Sequence, residues 1–321
     1  TSTSSEASLA SEEVEVDPMT VWGNHFADAM DEWSEGKFKI DVFPFGTIGE
    51  NRDINELCQL GVVELVYSDY AWISSFVPEA QVFGLHYIWP EERIEEVLEW
   101  VVRNGDSMAI LEECFRREGL VPLSIIYQGW QWITSNNPIN SVKDMYGINI
   151  RLMGSEMLSR AYRTYGASPT ALAYGEIYSA LQTGLLDAQV QPCYANKSMG
   201  FYEVQNYMTQ IFAEPFVGIP TVNMQFFDSL PVEAQEKMRE WWIDAIIPEA
   251  EWLNKRHEAE LAEMGSKIKI VELKGETLNE FKEKGVQSHE HFFELGGPNA
   301  KAIYNALVKD IDNAKAALGI N

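Results

Sequence analysis

Residues 178–192 read YSALQTGLLDAQVQP, and the pattern of this stretch changes at one glycine. The residues before Gly184 are typical of a helix, and glycine suits the position just past a helix end, which commonly requires a positive φ. We expect Leu185 and Leu186 to begin the buried strand that follows. The stretch therefore predicts a helix, a glycine stop and a strand that carries Gln191 to its carboxyl end.

A second copy of this plan lies nearer the amino terminus. Residues 56–69 read ELCQLGVVELVYSD, in which Gly61 again precedes two aliphatic residues, an acid and a strand-like run. Helical and strand-like patterns alternate along the rest of the chain, which predicts α/β layers with mostly parallel strands. The repeat itself predicts two similar α/β lobes.

The hydrophobic patterns place the other elements. Pro248 lies inside the longest helical pattern and is expected to kink that helix rather than end it. Helices are predicted over residues 21–33, 53–60, 90–115, 155–165 and 231–265, from 276 onward, and over 298–318; strands are predicted over 37–43, 62–69, 120–127, 146–153 and 267–273.

The composition bounds the class of protein. The chain has 321 residues, 46% of them apolar, which favours two domains or one large α/β unit. Lys and Arg total 24 and Asp and Glu total 49, so the formal charge is −25. An acidic surface repels nucleic acid and anionic membranes, which excludes both as partners. The charge fits a saline habitat as well as an ordinary secreted protein of low pI.

The chain carries no long apolar run, so no transmembrane helix is predicted. Residues 1–8 (TSTSSEAS) are small and polar. Such residues follow a removed export signal, and they fit an arbitrary chain boundary equally well.

Motifs of catalysis and metal binding are missing from the sequence. It has no GxGxxG, GxxxxGK[ST], GxSxG or HExxH motif, and its three cysteines, Cys58, Cys114 and Cys193, have no metal-ligand spacing. The sequence does not decide whether two of the three cysteines form a disulfide. The two histidines of residues 288–294 (SHEHFFE) are two positions apart and share no helix face, which favours a solvated helix over a metal site. We therefore expect no cofactor, no metal and no catalytic residue, with an enzyme as the remote alternative.

Arg151 is the most informative charged residue, because it lies within the apolar run INIRLM. A buried guanidinium needs a partner. One interpretation is an internal salt bridge. The other is a clamp on a ligand carboxylate, which the planar guanidinium fork matches well. Position alone favours neither.

The region around Arg151 resembles the solute receptors of tripartite ATP-independent periplasmic (TRAP) transporters, of the DctP type. Members carry a D-x-x-G-x-x-[IV]-R strand, a helix, a G-A-x-P turn and a [EQ]-[VI]-Y-x-A-L-Q-x-G-[VI]-x-D-[GA] run followed by Asn-Pro. FYEVQNYMT, FPFGTIGE and LPVEAQEKM match as well. The matching residues are Asp144, Gly147, Arg151, Gly166, Ala167, Pro169, Glu176, Tyr178, Ala180, Leu181, Gln182, Gly184 and Asp187.

The resemblance implies an α/β, two-lobed periplasmic binding protein fold with mixed sheets flanked by helices and a long helix that spans both lobes. Lobe I would comprise residues 1–127 and about 216–250, and lobe II residues 128–215 and about 251–321. A small organic solute would bind in the cleft between the lobes and pass to membrane subunits of the transporter. The receptor would be periplasmic and monomeric.

By resemblance, Arg151 is the family's carboxylate clamp, which resolves the two interpretations towards a ligand. Gln191 stands where the family has Asn, and Gln131 stands where many members have a second Arg. The loss of that arginine removes positive charge. This argues against a dicarboxylate or a sialic-acid-like ligand.

A narrower resemblance, to ectoine-binding members, rests on the segment LASEEVEVDP. It implies that Glu13 meets the cationic end of a ligand, since carboxylates and aromatic faces both attract cations. The ligand would then be a zwitterion or a compact osmolyte. The aromatic residues implied to surround it are Trp72, Tyr174 and Tyr194, and Phe216 is a candidate for the floor of the cleft.

Each of these rings also fits a role in packing. Trp130 and Trp132 alternate with Gln131 and are expected to face away from it. If they line the cleft instead, the ligand is an aromatic, indole-like carboxylate.

Overall fold

The computed structural model describes residues 17–320. The α-helices in this range are α1 Pro18–Trp33, α2 Asn51–Gln59, α3 Tyr70–Ile73, α4 Ile94–Asn104, α5 Ser107–Arg117, α6 Glu156–Thr164, α7 Ile177–Gln182, α8 Cys193–Ser198, α9 Met224–Ser229, α10 Val232–Asp244, α11 Ile246–Met264, α12 Gly275–Val286, α13 His289–Leu295 and α14 Ala300–Leu318. The strands are β1 Leu65–Asp69, β2 Leu120–Pro122, β3 Ile126–Ser135, β4 Asn149–Leu152, β5 Ser168–Ala171, β6 Ala188–Pro192, β7 Tyr207–Gln210, β8 Pro215–Asn223 and β9 Lys269–Glu272.

The strands join in the order β1-β8-β3-β6-β4-β5, with β2 also on β8, β7 also on β3 and β9 on β7. The β4–β5, β4–β6 and β7–β9 pairs are parallel. The pairs of β3 and β8 are antiparallel. The prediction of mixed sheets is confirmed, and the expectation of mostly parallel strands is wrong at the centre. The chain passes from β7 to β8 without an intervening helix, so the helix–strand alternation fails there.

The stretch at 178–192 folds as a helix, a glycine stop and a strand. Gly184 has a φ of +74°, and β6 follows. The strand begins at Ala188, after both leucines. Leu185 is exposed, and only Leu186 packs into the core. The expectation that both leucines enter the sheet is therefore wrong. The earlier copy matches, with Gly61 (φ +73°) between α2 and β1.

Replacing Gly184 with alanine should lower the free energy of unfolding by about 1 kcal/mol, the usual cost of a left-handed backbone for an L-residue. A Cβ at Gly184 would meet no atom within 4 Å, so the cost would come from the backbone alone. Gly175→Ala is the matched control, because its Cβ would also meet nothing and its φ is ordinary. Chemical denaturation measures both variants. Equal stability of Gly184→Ala and wild type would contradict this assignment.

The two long predicted helices are each divided. The segment 90–115 breaks at Gly105 between α4 and α5. The segment 231–265 breaks at Ala245, between α10 and α11. The ring of Pro248 clashes with a helical carbonyl four residues earlier, at Asp244, which is where α10 ends. The result is a bent pair in which α10 packs on α1 and α4, and α11 packs on α4, α8 and β3.

Residues 37–43 do not form the predicted strand. They form neither helix nor strand, and they pair with no strand within residues 17–320. In the same range, no helix is long and apolar enough to cross a bilayer.

Candidate functional site

Arg151 lies on β4 with 0% of its surface exposed. Its Nε donates a hydrogen bond to the Leu172 carbonyl oxygen at 2.9 Å. Nη1 and Nη2 are buried, and neither finds a hydrogen-bond partner among residues 17–320. No salt bridge of Arg151 occurs in that range either, although a buried guanidinium calls for one. Two donors of a planar fork are thus available to a ligand.

Burial lowers the pKa of the Arg151 guanidinium to about 10, and the negative charge of Asp69 opposes that shift. The side chain therefore remains a cation at neutral pH. A carboxylate placed against Nη1 and Nη2 would receive charge-assisted, bidentate hydrogen bonds.

Asp69 is a charged residue of this site that the sequence reasoning missed. It ends β1 and is buried, and its Oδ1 accepts hydrogen bonds from the backbone N–H groups of Ala71 at 2.9 Å and Trp72 at 3.0 Å. Burial raises the pKa of its carboxyl to about 6, against those two bonds and the charge of Arg151. The sequence repeat could have pointed to Asp69, because it ends β1 in the first copy at the position where Pro192 ends β6 in the second.

Trp72 reaches across to the β4 segment. A Cβ built on Gly154, three residues after Arg151, would lie 2.7 Å from Cζ3 of the Trp72 ring. Only a glycine permits this approach. Trp72 and Gly154 belong to the parts of the chain that the sequence assigns to different lobes.

The two predicted tyrosines differ in burial. Tyr194 is buried, and its hydroxyl donates to Oε1 of Gln128 at 3.1 Å. Tyr174 is half-buried and makes edge contacts with Phe45 and Phe201. Burial raises the pKa of both hydroxyls, and nearby acids raise it further: Asp17 and Asp69 act on Tyr194, and Asp17 acts on Tyr174. We call Arg151, Asp69, Trp72, Tyr174 and Tyr194 the Arg151 site.

Of the remaining predicted residues, Gln191 lies on the same sheet face as Arg151. Arg151 pairs with Gln189, and Gln191 is two residues farther along β6. Gln131 pairs with Pro192, the residue after Gln191. Its side chain therefore lies on the opposite face of the sheet from that of Gln191. The side-chain amide of Gln131 is buried, and neither its Nε2 nor its Oε1 has a hydrogen-bond partner within residues 17–320.

Phe216 is buried on β8. Glu13 lies outside the described residues.

Trp130 and Trp132 lie on β3, where Trp132 pairs with Gln191 of β6. Trp132 is buried against His257 of α11, and Trp130 makes an edge contact with Phe212. Both line a cavity of about 140 Å³ together with Tyr194 of the Arg151 site and residues of α11, and Arg151 itself is not among the lining residues.

A larger cavity, of about 440 Å³, lies between β1 and residues 38–48. Its wall is mainly apolar and does not include Arg151. It borders Asp17, the first described residue. We take Arg151 as the centre of the candidate site because its two buried Nη donors lack a partner within residues 17–320 and the charge of Asp69 acts on it.

The other chemistry-bearing residues have structural surroundings. Cys58, Cys114 and Cys193 are buried free thiols, so no pair forms. His289 is buried and bonds the His86 carbonyl oxygen at 2.8 Å, which makes the expectation of a solvated helix wrong at this residue. No group of His, Cys, Asp and Glu in the described range could hold a metal ion.

Comparisons with known proteins give the family. The profile of bacterial extracellular solute-binding protein family 7, the DctP family, matches residues 10–295, and the chain belongs to this family. The ectoine-binding periplasmic protein TeaA of Halomonas elongata is 28% identical over 305 residues, which cover 94% of this chain and 89% of the relative. The ectoine/5-hydroxyectoine-binding periplasmic protein UehA of Ruegeria pomeroyi is 27% identical with the same coverage.

Solved structures agree. A structure of the Halomonas elongata protein superposes with a TM-score of 0.83 at 28% identity, covering 90% of this chain and 94% of the other. An apo, open TRAP solute-binding protein from Marinobacter aquaeolei gives 0.84 at 27% identity, covering 91% and 96%. The predicted family, its α/β fold and its periplasmic localisation are confirmed, and the family is one of receptors rather than enzymes.

Proposed function

We propose that this receptor binds a compact zwitterionic or monocarboxylate solute at the Arg151 site. The observation that carries the proposal is the pair of buried Nη donors on Arg151 without a partner in the described range. Leaving a buried cation unsatisfied is costly, and a ligand carboxylate removes that cost on binding. Ectoine, which the relatives bind by name, is such a solute, with a carboxylate and an amidinium.

The surroundings of Arg151 support a ligand with two unlike ends. Trp72, Tyr174 and Tyr194 supply aromatic faces, and faces of this kind attract desolvated cations. Asp69 supplies a negative charge, and Glu13, implied by the family resemblance, would add another. A carboxylate at Arg151 and a cationic group among the rings would satisfy both ends.

We further propose the division into lobes predicted from the sequence, with the hinge in β3 and β8. The predicted boundaries fall within both strands, at residues 127–128 and 215–216. β3 pairs with β8 through its first residues and with β6 and β7 through its last. The register shifts between Tyr127 and Trp130, where Gly129 has a φ of +95°. A monomeric receptor would close on its solute and deliver it to the membrane subunits of the transporter.

A thermal-shift screen tests the proposed ligand class. A solute that binds only the folded state at a hundred times its Kd stabilises the protein by about 2.7 kcal/mol. We expect ectoine-like zwitterions or compact monocarboxylates to raise the melting temperature by several degrees. Dicarboxylates and uronic acids should raise it less. A response confined to indole acids, or to dicarboxylates, would refute the proposed ligand class and leave the receptor class intact.

A further inference from the structure

We propose that Asp69 determines ligand specificity by charge: opposite Arg151, it makes the site favour a net-neutral, dipolar solute over a simple anion. The inference rests on the proposed function and deepens it. It assigns the selection to a described residue that the family resemblance did not point to.

The position of Asp69 fixes where its free oxygen can act. The two N–H bonds from α3 hold Oδ1, and no hydrogen bond within residues 17–320 reaches Oδ2. The residue is 6% exposed and lies at the carboxyl end of β1. The same short helix carries Trp72, whose ring meets Gly154 at the end of the Arg151 segment. Asp69 therefore lies on the face that closes over Arg151.

The balance of charge decides which ligand the site prefers. In the empty site, the cation of Arg151 and the anion of Asp69 oppose each other. A monoanion would neutralise Arg151 and leave Asp69 as an uncompensated buried charge, which is costly. A zwitterion compensates both groups. Asp17, whose charge also acts on Tyr174 and Tyr194, adds to the negative side.

Asp69→Asn is the informative variant, because the amide keeps the size of the side chain and its Oδ1 still accepts the two N–H bonds of α3. Titration calorimetry would compare ectoine with cyclohexanecarboxylate, a ring of equal size with no cation. Wild type should prefer ectoine at least tenfold. In Asp69→Asn the ratio should fall at least tenfold, by weaker binding of ectoine, stronger binding of the anion, or both. Asp53→Asn, an exposed acid of α2, is the control and should leave the ratio unchanged.

An unchanged ratio in Asp69→Asn would overturn the inference. If neither probe binds, native mass spectrometry of the protein after incubation with a small-molecule extract identifies the ligand. A cationic group in that ligand supports the role of Asp69, and its absence refutes it. The proposed function has its own test, since carboxylate binding of undiminished affinity in Arg151→Ala would refute the clamp whatever Asp69 does.

Discussion

Replacing Arg151 with alanine should weaken the binding of a carboxylate solute by more than an order of magnitude. Removing one partner of a buried, hydrogen-bonded charge pair costs about 2–5 kcal/mol, so the Kd should rise by roughly 30-fold to several thousand-fold. The loss is large because the ligand carboxylate would enter a buried site and find no cation there. Titration calorimetry against the solute identified in the screen measures it.

Two further variants separate the clamp from a general effect of charge. Arg151→Lys keeps the charge but loses the planar fork and the Nε bond to Leu172, so most of the affinity should be lost. Arg160→Ala removes an exposed arginine that pairs with Glu156 on α6, and should leave binding unchanged. A Kd in Arg151→Ala that stays within a few-fold of the wild-type value would remove this residue from the site.

Local rules predicted much of the fold. Gly61 and Gly184 end their helices because the backbone there needs a positive φ. The glycine itself indicates this requirement in the sequence. Strand starts depend on distant neighbours instead. Residues 185–186 have a strand-like sequence but lie before the start of β6, outside the sheet. Residues 37–43 pair with none of the described strands.

Of the two charged residues of the candidate site, only Arg151 could be predicted from the sequence. Arg151 stands out because a charge in an apolar run needs an explanation. Asp69 does not stand out, because an acid after a strand is also an ordinary helix cap, and it does cap α3. Its proposed second role depends on Arg151, and the two segments are brought together by the contact of Trp72 on α3 with Gly154 after β4, residues far apart in sequence.

Gly154→Ala should weaken solute binding at least tenfold without lowering the stability of the fold. The φ of Gly154 is outside the left-handed region, so alanine brings no backbone strain. Its Cβ would lie 2.7–3.2 Å from three atoms of the Trp72 ring, so that ring would have to move for the two segments to meet. Overpacking of this kind costs about 1–3 kcal/mol. Since the contact joins the two proposed lobes, the cost falls on closure.

A double-mutant cycle shows whether the effect passes through Trp72. Trp72→Phe shortens the ring, so it should weaken binding by itself and yet recover part of the affinity that Gly154→Ala loses. Gly175→Ala, next to Tyr174, is the control, because its Cβ would meet no atom within 4 Å. Small-angle scattering with saturating solute should show Gly154→Ala less compact than wild type. Strictly additive losses in the cycle would mean that Trp72 and Gly154 do not meet in the bound state, and closure would then have to bring other residues over Arg151.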